Sequence, residues 1–154
     1  MSTSDGGVGV QASNRSIWRN GGRALISAAV IQTVVVPTLA DFNQTHIFSE
    51  AWSPHARFHG VVGLVTNAVL APVGLWLLWR RPSEPGAVAA IPIAYWGSFF
   101  AAALVPGTAP EDRLHPVPRI AGQPANMVLA AVGVLTAALG WYLDRRRPDP
   151  LGQD

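Results

Sequence analysis

Between Asp41 and His59 the chain gathers three of its four histidines and two of its nine acidic residues into nineteen positions, and these are the side chains that ligate metals or carry protons. Within this stretch Ser53 and Pro54 have the chemistry of an N-cap and a first helical residue. His55 and His59 then fall one turn apart on one helix face, close enough to share a metal, a proton or a polar substrate group. Three chemistries compete. In the first, His46, His55 and His59, with Asp41 or Glu50, form a nitrogen-rich set suited to zinc, copper or iron. In the second, Asp41 and the histidines pass protons to and from a lipophilic substrate without metal. In the third, the cluster is a polar lock or a partner-binding face.

The surroundings of this stretch narrow its setting. The chain has 154 residues, 49% hydrophobic and only 13% charged, where an ordinary soluble domain has about a quarter charged. There is no cysteine, which excludes disulfides, thiolate catalysis and cysteine-held metal. All eleven basic residues are arginine, in short groups beside hydrophobic runs and without a broad basic face, so nucleic acid is not an expected partner.

The apolar residues form four runs. Residues 1–22 are predicted as a flexible cytoplasmic tail, and helices are predicted at about 24–40, 54–79, 87–105 and 124–143 inside a membrane domain of residues 23–147, with residues 148–154 as a C-terminal tail. A rival assignment makes the first run a cleaved leader, with Arg19 and Arg23 as its basic flank. In lipid every backbone polar group must be paired internally, so the spans are helices. The fold class is therefore all-α, a bundle of four transmembrane helices with a His-rich outer loop between helices 1 and 2.

Arginine placement sets the expected orientation. The N-terminal tail, the Arg80-Arg81 link and the Arg145-Arg146-Arg147 end carry eight arginines, against three, Arg57, Arg113 and Arg119, in the other two loops. Both termini are thus expected in the cytoplasm of a cell-membrane protein, with all four histidines and Asp41, Glu50, Glu111 and Asp112 outside. Trp18, Trp79, Trp141 and Tyr142 would mark the inner interface, and Trp52 the outer one.

Polar groups inside the runs suggest a place for a substrate. Asn43 and Trp52 flank the cluster, and Thr66, Asn67, Tyr95 and Trp96 are the expected substrate-binding groups in the spans. Thr66 is expected almost under His59, extending a polar stripe toward the midplane. Gln32, Thr33, Ser98 and Thr136 belong to the same candidate pocket. The alternative for each of these polar groups in the spans is a helix-to-helix hydrogen bond, with the small pairs Gly97/Ala101 and Gly133/Ala137 supplying close packing.

The strings Asp41-Phe-Asn-Gln-Thr-His-Ile-Phe48 and Trp52-Ser-Pro-His-Ala-Arg-Phe-His-Gly60 resemble the signature of a family of small four-helix membrane proteins of unknown function in bacteria and fungi. That pattern has Asn-Pro where this chain has Ser49-Glu50, which weakens Glu50 as a ligand. The resemblance implies fold and setting but no mechanism. More distantly, the architecture resembles the sterol isomerase and sigma-2 receptor fold, whose members handle sterols and other lipophilic amines and alcohols, and no catalytic residue carries over from it. The expected function is a membrane enzyme of oxygenase, isomerase or cyclase type acting on a lipophilic small molecule, with membrane lipid as its other partner. The alternative is a non-catalytic metal-binding or accessory subunit.

Overall fold

The computed structural model describes residues 5–111 and 115–146, with side chains described from residue 20 onward. It contains four long helices, α1 (Asp5–Asp41), α2 (Pro54–Trp79), α3 (Pro85–Ala102) and α4 (Ala125–Arg145). Each has a segment long and apolar enough to cross a membrane, namely Asn20–Asp41, Pro54–Trp79, Pro85–Ala102 and Ala125–Arg145. Large apolar side chains face outward along the whole length of α2, from Val61 and Val65 through Val69 and Val73 to Trp76. Such a face is stable against lipid and costly against water.

α1 starts earlier than the composition of the first residues predicts. Asp5 opens a helix of 37 residues, so residues 5–22 are helical where a flexible tail was expected, while residues 1–4 and 147–154 lie outside the described residues. Gly21 and Gly22, which lower helix propensity, carry the helix because Gly22 meets α4. A Cβ on Gly22 would lie 2.6 Å from the Gly140 carbonyl oxygen, so two bare backbones cross here. Arg23 then ties this end of the bundle together. Its Nε donates to Asp144 Oδ1 at 3.1 Å and its Nη2 to Ser83 Oγ at 2.6 Å, joining α1, α4 and the α2–α3 link.

The core follows from small residues on α4. Ala130, Gly133, Ala137 and Gly140 recur at helical spacing and are all buried. Trp96 of α3 lies flat in the groove they leave, with its Cδ1 only 2.3 Å from where a Gly133 Cβ would stand. Gly133 and Ala137 therefore act at an interface as their spacing predicts. Gly97 does not, since nothing approaches within 4 Å of its missing Cβ. Gln32 donates to the Leu129 carbonyl at 2.9 Å, a bond from α1 to α4.

Ser53 and Pro54 start α2 as their chemistry dictates, with Ser53 Oγ accepting from the Ala56 N–H at 3.2 Å. α3 ends at Ala102, earlier than the predicted residue 105, because Pro106 and Gly107 follow and Thr108 turns back to donate to the Ala102 carbonyl at 2.6 Å. The link to α4 holds a feature the sequence reading lacks. β1 (Arg119–Ile120) and β2 (Gln123–Pro124) pair antiparallel across Ala121 and Gly122, whose φ values of 49° and 79° are those of a type I′ hairpin turn.

Candidate functional site at the Asp41 end of the bundle

The segment from Phe42 to Ser53 folds back over the end of α1. The Ile47 N–H donates to the Asp41 carbonyl at 3.0 Å, and Arg57 of α2 donates to the Ser49 carbonyl at 2.6 Å, so the segment is fastened at both sides. Ile47 is buried against Gly60, where a Cβ would stand 2.5 Å from Ile47 Cδ1. Gly60 is needed for that close approach, which explains its place after the second histidine of the pair.

Asn43 organises the turn. Its Nδ2 donates to the Ala40 carbonyl at 2.6 Å, an acceptor with no hydrogen to give, which fixes Oδ1 as the acceptor end of the amide. Thr45 donates to that Oδ1 through its N–H at 2.8 Å and through its hydroxyl at 2.7 Å. The single hydroxyl proton is thereby committed, so the contact of 2.8 Å between Thr45 Oγ1 and His46 Nδ1 must be donated by the imidazole. Neutral His46 is therefore the Nδ1–H tautomer, and its Nε2 carries a lone pair. That Nε2 lies 3.9 Å from Asp41 Oδ1, beyond a direct hydrogen bond but within strong charge contact once the ring is protonated. The His46 ring also packs edge-on against Trp52 at 5.6 Å between centroids.

The four histidines do not form one site. His55 and His59 meet as their spacing predicts, Nε2 to Nε2 at 3.1 Å, but both are exposed and lie apart from the His46–Asp41 pair. Only His46 lies in the loop itself, so the His-rich loop expected between the first two helices is one histidine in a loop and two on α2. Among the described residues no three His, Cys, Asp or Glu side chains are placed to hold one metal ion. The proposed set of His46, His55, His59 and Asp41 therefore resolves into two pairs. Helix phase is the cause. The inward stripe of α2 is Asn67, Ala71, Gly74 and Leu78, and His55 and His59 lie off it. Thr66 is exposed for the same reason, so the stripe expected beneath His59 runs along the outer surface of α2 and not into the bundle. Glu50 is exposed as well, and His115 lies in the α3–α4 link.

Asn67 instead is the polar group that α2 turns inward, only 6% exposed. Tyr95 of α3 faces its amide, with its hydroxyl oxygen approached by the Asn67 side chain and within electrostatic reach of Asp41. That approach falls short of a closed hydrogen bond, and Asn67 Nδ2 closes none among the described residues. Tyr95 and Trp96 pack ring to ring at 4.8 Å, and both contact Phe99. Asn67 of α2 and Tyr95 of α3 thus face each other inside the bundle, with Asp41 at the end of α1 within electrostatic reach of Tyr95 and His46 beside Asp41.

The family model that matches this sequence spans residues 25–154 and describes a family of unknown function. The chain belongs to that family, DUF6640. Its match covers all four membrane-length helices apart from the first part of α1. No curated protein and no solved structure matches the chain.

Proposed function

We propose that this DUF6640 protein is an integral membrane enzyme that moves a proton on a lipophilic small molecule, with His46 as the base and Asp41 as its charge partner. The four apolar helices support the membrane setting. The observation that carries the chemistry is the hydrogen-bond chain from Asn43 through Thr45 to His46, which leaves Nε2 bare and turned toward Asp41. A substrate C–H or O–H brought to Nε2 would lose its proton to the ring. The Asp41 carboxylate would stabilise the imidazolium, whose N–H exchanges with water, and a proton returned from the ring to another atom of the substrate would complete an isomerisation. Positioned acid–base groups of this kind contribute about 10²–10⁴-fold to rate.

The second pair, His55 with His59, is exposed and has no buried neighbour to orient a substrate, so it is given no part in this step. Following the arginine distribution, the site is assigned to the outer face, with the Arg23–Asp144 end in the cytoplasm.

Solvent isotope labelling tests the reading. Membranes containing the protein are incubated in deuterated water, and their lipid extract is compared by mass spectrometry with extracts from Asp41→Asn and His46→Gln membranes. A lipid-soluble component should gain deuterium with the native protein and about a hundredfold less with either variant, the smaller effect expected for such groups. Equal labelling in all three would overturn the reading.

A further inference from the structure

Asn67 is an anomaly in an apolar bundle. A buried amide donor without a partner costs roughly 1–3 kcal/mol, and buried donors in folded proteins are nearly always satisfied. Among the described residues Asn67 Nδ2 closes no hydrogen bond although the residue is 6% exposed, the Tyr95 hydroxyl approaching it without closing one, and a second N–H, Trp96 Nε1, also closes none in a residue 1% exposed. Both atoms can only donate. The missing complement is therefore an acceptor, and in a membrane interior water is a poor source of one.

The surroundings say what could bring it. α2 and α3 share the least extensive contact of the directly packed helix pairs, so the seam between Asn67 and Tyr95 is the easiest to enter from the bilayer. Above Tyr95 on the same stripe of α3 lie Phe99 and Ala102, which line a half-open surface cavity of about 270 Å³ together with Pro110 and Met127. The Phe99 ring is 5.8 Å from the Tyr95 ring, so this cavity ends one side chain away from the Tyr95–Asn67 pair. Its hydroxyls and amide are already engaged, Ser98 with the Tyr95 carbonyl, Thr108 with those of Ala102 and Val105, and Asn126 with the Pro110 carbonyl, so its free lining is mostly apolar.

We infer that the Asn67 amide, with the Tyr95 hydroxyl beside it, anchors the oxygen of a neutral lipophilic ketone, ether or alcohol whose apolar body lies along α3 toward this cavity. The inference rests on the reading that this end of the bundle receives a lipophilic molecule, and it gives that molecule a chemical class. Asn67 and Tyr95 hold the oxygen. Asp41 and His46, at the α1 end within electrostatic reach of Tyr95, act on the bound molecule and are not needed to hold it.

The test uses purified full-length protein in mild detergent and three probes of one skeleton: geranylacetone, the hydrocarbon with a methylene in place of its carbonyl oxygen, and the corresponding amine. Binding is read by quenching of tryptophan fluorescence. The ketone should bind about tenfold more tightly than the hydrocarbon, the loss expected when a buried donor is left unpaired. Asn67→Leu should remove that difference, whereas Asp41→Asn should keep it. A carbonyl-labelled ketone should show an infrared stretch shifted to lower frequency in the native protein and returned toward its apolar-solvent value in Asn67→Leu. Should Asn67→Leu fail to fold, Tyr95→Phe, which keeps the ring packing, should weaken the preference for ketone. Equal binding of ketone and hydrocarbon, or tighter binding of the amine, would overturn the inference. A ketone preference in a protein that transfers no deuterium would leave the oxygen site standing and remove the catalytic reading alone.

Discussion

At the scale of single residues, the site depends on which nitrogen of His46 holds its proton. Thr45 decides this, because its hydroxyl proton is spent on Asn43 and only its lone pair faces the ring. Nitrogen-15 spectra of histidine-labelled protein should therefore show His46 as the Nδ1–H form when neutral, and Thr45→Val should release it to a mixture. A native His46 with its proton on Nε2 would remove the bare lone pair and the base with it. The exposed His55–His59 pair behaves differently. Two imidazoles at 3.1 Å can chelate an added ion such as nickel or copper, with water filling the other positions. Titration should find one such site, abolished by His55→Ala or His59→Ala and unchanged by His46→Ala. Loss on His46→Ala would mean that the three histidines act together after all. The sequence made the pair legible, since an i, i+4 spacing needs only a helix. It could not show His46 parting from them, because that depends on how residues 42–53 fold over Asp41.

At the scale of elements, small residues set the helix spacing, and they do so unequally. Gly133→Ala would drive a methyl to 2.3 Å from Trp96 Cδ1, against a ring held by Tyr95 and Phe99. It should cost about 1–3 kcal/mol, as overpacking does, read as a lower unfolding temperature in detergent. Gly97→Ala meets nothing within 4 Å and should be neutral or slightly stabilising, since alanine is the better helix former. The reverse order would show that α3 packs through its other face. Both glycines look alike in sequence, because a small residue marks a possible interface without saying which helix lies opposite. The same limit governed α2. Its bounds were legible from the Ser53-Pro54 cap and the Arg80-Arg81-Pro82 stop, but its run is apolar all round. Periodicity therefore could not separate Thr66, which faces out, from Asn67, which faces in. The hairpin at Arg119–Pro124 was missed because Ala121-Gly122 is a weaker turn signal than Asn-Gly.

At the scale of the whole molecule, the two ends of the bundle are chemically unlike, and this asymmetry carries the orientation. At one end Arg80 lies over Trp76 at 4.9 Å, Arg145 over Trp141 at 4.6 Å and Arg146 over Tyr142 at 4.5 Å, each pairing a cation with an interfacial ring. Arg23, Asp144 and Ser83 close the same end with charge-assisted bonds. At the other end stand Asp41, the described histidines and the Glu111–Arg119 pair. Arginine near a helix end is held on the cytoplasmic side during insertion, so the first end is expected to face inward and the Asp41–His46 end outward. The absence of native cysteine allows a direct check, because a single introduced thiol reports without background. Ala51 and Glu84 are both exposed, one in the segment over Asp41 and the other in the α2–α3 link. Ala51→Cys should react with a membrane-impermeant maleimide on intact cells, and Glu84→Cys only after the membrane is opened. Labelling in the opposite order would put Asp41 and His46 in the cytoplasm. The hydrogen-bond chain that leaves Nε2 bare would be untouched by that result, but the substrate would then have to arrive from the inner leaflet.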